Sequence, residues 1–281
     1  MKLTRRQFLA GLGATGIGTA VYAWQIEPRW VKVEPLPLPI RHLPDEMVGR
    51  TLVQISDMHI SSRYDWSYQL PALREIADMQ PDYVVYTGDF VSYAETFTDL
   101  SRVMGQVPLG TMGTVAILGN HDYGRGWQQP NVADTISQIL HESNITVLRN
   151  EAQTVEGLQI AGLDDFWGTN YRPDFFAKLD FAQPTIALVH NPDVVDEPIW
   201  GDYDGWILAG HTHGGQVKPP FLPPPMLPVQ NRRYTAGVFA LPAQDGGENG
   251  RFLYINRGLG NLWPVRFNMR PEITLFTLSR A

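Results

Sequence analysis

Five short apolar runs in this chain end in the same way. Thr51–Ser56 (TLVQIS) runs into Asp57-Met58-His59, Tyr83–Gly88 (YVVYTG) into Asp89, and Thr114–Gly119 (TVAILG) into Asn120-His121-Asp122. Thr185–Val189 (TIALV) runs into His190, and Trp206–Gly210 (WILAG) into His211-Thr212-His213. A continuous apolar run of roughly four to eight residues, bounded by turn residues, reads as a strand buried on both faces. Such strands need a cover on each side. The carboxyl ends of parallel strands are where side chains from distant segments gather. The pattern predicts a largely parallel sheet whose strand ends share one site.

Helical stripes alternate with these strands. Leu70, Leu73, Ile76 and Ala77 form one, Phe97, Leu100, Val103 and Met104 a second, and Val132, Ile136, Ile139 and Leu140 a third. Each has the i, i+3, i+4 spacing of a helix that packs one face on a sheet. In the second half, Thr154–Leu163 reads as a hairpin with Glu156-Gly157 at its turn, and RFLYIN and EITLFTL supply further strands. The expected fold is α/β: a four-layer αββα sandwich of two mixed sheets flanked by helices, with the site at the strand C-terminal ends. Residues 1–24 read as an address or anchor and 25–48 as a proline-rich lead-in with an edge strand near Trp30–Glu34. Residues 49–281 read as the folded domain.

Composition removes several function classes. The chain has no cysteine, which excludes disulfides, thiolate metal sites and cysteine nucleophiles. Its formal charge is −7, with no basic run to track phosphates, so nucleic acid is not an expected partner. The amino terminus, MKLTRRQFLAGLGATGIGTAVYAW, is a basic segment followed by an uncharged stretch with Val21–Ala23 as a small-residue cleavage site. Adjacent Arg5 and Arg6 before QFL resemble a twin-arginine signal, which implies the twin-arginine export machinery as a partner. The protein is then exported across, or anchored to, the cytoplasmic membrane, on its periplasmic or outer face. An uncleaved anchor is the alternative to a cleaved signal.

Of seven histidines, five fall at the strand ends; His42 reads as linker surface and His141 as an exposed helical position. Each strand end alone is ordinary turn chemistry, but together they assemble carboxylates, imidazoles and one amide oxygen. That donor set suits Mn, Fe or Zn. Seven candidate ligands exceed what one ion takes and suit two divalent metal ions with a shared carboxylate. His211 and His213 alternate on an extended backbone, so each can address a different ion.

In order, spacing and residue type, the motifs SDMH, TGDF, GNHD, LVHNP and GHTH resemble those of the calcineurin-like metallophosphoesterase superfamily, from about Thr51 to Gln216. The longer GHTHGGQ and the tail RGLG…RPEI resemble a subfamily of exported or membrane-associated bacterial phosphoesterases, including enzymes assigned to UDP-2,3-diacylglucosamine cleavage in lipid A synthesis. The resemblance implies one metal held by Asp57, His59, Asp89 and His213, and a second held by Asp89, Asn120, His190 and His211, with Asp89 bridging. It implies that His121 is a catalytic residue aiding the reacting phosphoryl group and that Asp122 orients His121. Ser92 stands where the family often has an acid or amide. Two such cations would generate hydroxide near neutral pH for in-line attack on phosphorus.

The expected reaction is hydrolysis of a phosphodiester or pyrophosphate in a lipid-linked or nucleotide-sugar substrate. The alternatives are an envelope phosphomonoesterase, or a noncatalytic metal-binding scaffold. A phosphorylated small molecule or lipid is the expected substrate, with a membrane surface as a further partner. Lys218–Val229 (KPPFLPPPMLPV) carries Phe221, Leu222, Met226 and Leu227; it reads as an apolar wall for a lipid tail or as a packed proline loop. Phe221 is the substrate-binding candidate there. Arg257 either forks onto a phosphate or makes a structural ion pair, and Trp167 either stacks on a sugar or base or packs in the core.

Overall fold

The computed structural model describes residues 4–93, 97–242 and 250–281; Lys2, in the basic segment, lies outside them. The amino-terminal half contains α1 (Arg5–Val21), β1 (Lys32–Ile40), β2 (Thr51–Ile55), α2 (Gln69–Asp78), β3 (Tyr83–Thr87), α3 (Phe97–Met104), β4 (Gly113–Ile117) and α4 (Pro130–Glu142). The rest contributes β5 (Thr146–Val147), β6 (Glu151–Val155), β7 (Leu158–Gly162), β8 (Thr185–Leu188), β9 (Trp206–Ala209), β10 (Gly237–Ala240), β11 (Phe252–Ile255) and β12 (Glu272–Arg280).

The strands form two six-stranded mixed sheets, ordered β1-β12-β2-β3-β4-β5 and β10-β11-β9-β8-β7-β6. Their centres, β2-β3-β4-β5 and β7-β8-β9-β11, are parallel. Alternation along each strand divides the core as the pleat requires. Val53, Ile55, Val84, Tyr86 and Ala116 meet the apolar stripes of α2, α3 and α4. Leu52, Tyr83, Val85, Val115 and Ile117 face Leu158, Ile160, Ile186, Leu188 and Leu208 of the other sheet. The outer face of the second sheet is covered differently. There Ala161, Ala187, Ile207 and Leu253 pack under Phe176, Val194, Trp200 and Tyr203, which stand on short 3-10 turns and loops. The expected sandwich is present, and aromatic bulk replaces regular α-helix in that outer layer.

The hairpin β6–β7 turns at Glu156-Gly157, both at positive φ (43° and 89°), the two-residue geometry that matches strand twist. The lead-in gives more than a short edge strand. β1 runs nine residues beside β12 at the edge of the first sheet and drives Leu38 and Ile40 into the inter-sheet core. Pro35, Pro37 and Pro39 recur with period 2, which sets their nitrogens along the unpaired edge, where no donor is needed. At the other extreme, α1 begins with a Thr4–Gln7 capping box and buries none of its residues. Among the described residues no helix is long and apolar enough to cross a membrane.

If β1 belongs to the folding unit, Leu38→Ala costs about 2–5 kcal/mol of stability, read from the urea unfolding midpoint. A loss under about 1 kcal/mol would place β1 outside that unit.

Candidate metal centre

The carboxyl ends of β2, β3, β4, β8 and β9 converge, and seven side chains meet there: Asp57, His59, Asp89, Asn120, His190, His211 and His213. Each is at most 4% exposed. Asp57, His59 and His213 form one group of donor atoms and Asp89, His190 and His211 another, with the atoms of each group within 4.8 Å of one another. In the first group His59 Nε2 and His213 Nε2 are 3.0 Å apart, and His213 Nε2 is 3.3 Å from Asp57 Oδ1. In the second, His211 Nδ1 is 3.2 Å from His190 Nε2. Asp89 Oδ2 links the two, at 3.5 Å from His59 Nε2 and 3.2 Å from His190 Nε2. Its other oxygen, Oδ1, accepts the His121 backbone N–H at 2.9 Å.

In three of these rings, His190, His211 and His59, the second nitrogen is occupied in a way that frees the first for a cation; in His213 the Arg266 guanidinium donates to Nδ1 at 3.2 Å, which leaves the neutral ring's proton on Nε2. His190 Nδ1 lies 2.7 Å from the Thr87 carbonyl and His211 Nε2 lies 2.7 Å from the Pro228 carbonyl, so each of those nitrogens carries the proton. The two rings therefore present opposite nitrogens, Nε2 and Nδ1, to the same point. His59 Nδ1 lies 3.3 Å from Ser92 Oγ, which donates to the His59 carbonyl, so the hydroxyl receives the ring N–H and leaves Nε2 bare. Among the described residues Asn120 Oδ1 is buried with no hydrogen-bond partner. An orphaned buried acceptor is costly unless something outside the protein fills it. Carboxylates, bare imidazole nitrogens and an unpaired amide oxygen fit divalent cations of the Mn, Fe or Zn kind.

The electrostatics agree. Burial would raise Asp89, but the imidazoles of His190 and His121 hold it well below the usual carboxylate range. Burial would depress His190, and Asp89 overrides it and raises the ring well above normal. Burial and the neighbouring His190 lower His211 to about 3, which keeps it neutral as a ligand must be. The backbone is strained at the same place. Asp57, His59, Asp89, His211 and His213 all adopt positive φ, between 47° and 71°, so the expected extended His211–His213 backbone is instead a tight turn. Non-glycine residues there cost roughly 1–3 kcal/mol each and persist only where surrounding structure fixes them. Two glycines make the close approach possible: a Cβ on Gly210 would lie 1.9 Å from Ser56 Oγ, and one on Gly119 2.3 Å from Asp89 Oδ1.

His121 stands beside the clusters, its ring edge-on to His59 at 5.0 Å. Its Nδ1 lies 3.4 Å from the Ser92 carbonyl, so Ser92, and not Asp122, is the residue that faces the ring. The expected Asp122–His121 contact is corrected by the geometry. The Asp122 carboxylate instead accepts the backbone N–H groups of Asp89, Phe90, Val91 and Gly119. It pins the turn that carries the bridging aspartate. Arg257 is engaged by Glu272 and by Glu34, the structural ion pair of its two readings. Phe221 is fully exposed on its loop at φ 66°. Trp167 packs edge-on to His211 at 4.6 Å and stacks on Trp127 at 4.9 Å.

Three residues carry weight that the sequence reading missed. Ser56 donates to Asp57 Oδ2. Arg266 is fully buried and its guanidinium donates to Asn261 Oδ1, to the carbonyls of Arg257, Gly258, Gly260 and Met269, and to His213 Nδ1. That loop in turn donates from Leu259 and Gly260 to the Ser56 and Asp57 carbonyls. Nothing in a loop without periodicity marks Arg266. Asp165 is buried, its Oδ1 has no partner among the described residues, and burial pushes it up to about 7. It follows β7 as the other acids follow their strands, so the same strand-end signal could have found it.

A model of the calcineurin-like phosphoesterases matches residues 50–215, well over half of the chain. The metallophosphoesterase YkuE of Bacillus subtilis is 32% identical, over 99% of this chain and 98% of its own length. The phosphodiesterase YaeI of Escherichia coli is 31% identical, over 98% and 99%. The UDP-2,3-diacylglucosamine pyrophosphatase LpxG of Chlamydia trachomatis is 28% identical, over 93% of each chain.

Asp122→Ala leaves buried backbone donors unpaired and is expected to cost about 3 kcal/mol or more, whereas His121→Ala stays within about 0.5 kcal/mol of the parent. Urea unfolding midpoints compare the two. Matching midpoints would return Asp122 to a role through His121 alone.

Proposed function

This chain belongs to the calcineurin-like phosphoesterases, and from that membership we propose a hydrolase of phosphodiester or pyrophosphate bonds that works with two divalent cations. The observation that carries the reading is Asp89 Oδ2, set between the His59 and His190 rings. One ion would be held by Asp57, His59, Asp89 and His213, the other by Asp89, Asn120, His190 and His211. When bound, such a pair supplies Lewis acidity and an activated water.

The protein's own groups do the rest. Asp89 shares one oxygen between the two ligand groups while the His121 backbone N–H holds the other. His121 Nδ1 is engaged by the Ser92 carbonyl, so the neutral ring offers Nε2 as an acceptor and only the imidazolium would donate from Nε2 to the phosphoryl oxygens or the leaving group. Asp122 keeps the Asp89 turn in place without touching the substrate. The substrate class is a lipid-linked or nucleotide-sugar phosphoester, a reading supported by the pyrophosphatase and phosphodiesterase names of full-length relatives.

The location belongs to the same proposal. α1 carries Arg5 and Arg6 and exposes Phe8, Leu9, Leu12, Ile17 and Val21, which suits recognition by the twin-arginine machinery and contact with a membrane surface. Tyr22 packs on Phe267, and the Ala23 carbonyl accepts Arg266 N–H. Cleavage after Ala23 would sever those contacts, so retention of α1 as an anchor is favoured.

Purified full chain with manganese is expected to turn over bis-p-nitrophenyl phosphate faster than p-nitrophenyl phosphate. His121→Ala keeps its metal and loses about 10²–10⁴-fold in turnover; Asp89→Ala loses both. Faster turnover of the monoester would favour a phosphomonoesterase. No turnover of either ester by metal-loaded protein would favour a scaffold. Lysine in place of both Arg5 and Arg6 is expected to hold the protein in the cytoplasm, and unchanged export by cell fractionation would refute the twin-arginine route.

A further inference from the structure

Two cavities flank the histidine clusters, and they differ in chemistry. One, of 690 Å³, has Thr212 and His213 among its lining together with Val217, Met226, Leu227, Leu262, Trp263 and Val265. The other, of 270 Å³, holds His59 with Arg29, Arg63, Tyr64 and Asn261. The segment Asn261–Val265 lines both and divides them. His59 and His213, stacked at 4.9 Å, thus stand one in each cavity.

The larger cavity is mostly apolar, and most of its polar groups are engaged elsewhere. The Gln216 amide donates to the Trp263 and Val265 carbonyls and accepts Leu262 N–H. Its one charged residue, Arg232, is exposed and donates through Nη2 to the Pro224 and Pro225 carbonyls. The Pro228 carbonyl is engaged by His211. What remains facing the space is mostly hydrocarbon, in a volume within the roughly 300–1,000 Å³ that small-molecule sites occupy. The wall is also continuous with the reaction centre, since Pro228 holds one candidate ligand and His213 is another.

We infer that this cavity seats a long hydrocarbon chain of the substrate, so that the reacting phosphorus sits at the histidine clusters with an apolar arm on the His213 side. The occupant is part of the substrate because the cavity opens on the ligands themselves. The inference rests on the phosphoester-hydrolase reading and narrows it to amphiphiles. Each methylene buried in such a wall is worth roughly a three- to fourfold gain in affinity.

The test compares p-nitrophenyl methyl phosphate with p-nitrophenyl dodecyl phosphate, below the latter's micelle concentration, on the manganese-loaded full chain. Water attacks phosphorus and p-nitrophenolate leaves in both. The dodecyl ester is expected to show a KM at least tenfold lower. Leu262→Glu, or Leu227→Gln if the first folds poorly, is expected to cut the dodecyl-to-methyl ratio of kcat/KM at least fivefold. Calorimetry on metal-free protein gives a second readout: dodecyl phosphate binds more tightly than methyl phosphate, and either variant removes the difference. Equal kcat/KM for the two esters, or a variant that leaves the ratio unchanged, overturns the inference. If neither ester is cleaved, the hydrolase reading fails, and calorimetry still decides the chain site: preferential, variant-sensitive binding upholds it and equal binding refutes it.

Discussion

A single carboxylate oxygen organises this molecule's chemistry. Asp89 Oδ2 lies buried between imidazoles that belong to different sheets, His59 after β2 and His190 after β8. Two aspartates and four imidazoles crowded out of water need positive charge among them. In the protein alone Asp89 favours a proton on His190 and raises that ring well above its ordinary value. Divalent cations would meet that need better and displace that proton, because a ligand imidazole must be neutral. The site is therefore built for cations, with protons as their substitutes.

The surrounding architecture serves that placement. Asp122 ties the backbone after β3 to the turn after β4, and Arg266 braces the 257–261 loop under the turn after β2. Gln54 reaches across the sandwich to the Ala209 carbonyl, joining the two sheets just beneath the histidines. These contacts hold five candidate ligands at positive φ, a conformation the residues would not adopt unaided. The strain is local, and the packing of two hydrophobic cores and an outer aromatic layer sustains it.

Much of this is legible in the sequence because burial on both faces leaves an unambiguous apolar run. β2, β3, β4, β8 and β9 announce themselves this way, and the polar residue ending each one marks the site. α2, α3 and α4 follow from their stripes. β1 was harder, since alternate prolines argue against a strand until the edge position excuses them. β5 has two residues and β10 lies half-exposed, so neither carries enough pattern to be read. The resemblance pointed to a site residue at Asp122 but to the wrong partner: its contacts are to backbone N–H groups, which no side-chain motif records. Arg266 was invisible for the same reason.

The shared aspartate is open to direct observation. Crystals of the full chain grown with manganese, with diffraction collected at the metal's absorption edge, would show where cations lie. Two anomalous peaks about 3.5–4 Å apart, with Asp89 Oδ2 between them, are the expected result. One peak, or two with Asp89 bound to only one, would contradict the account.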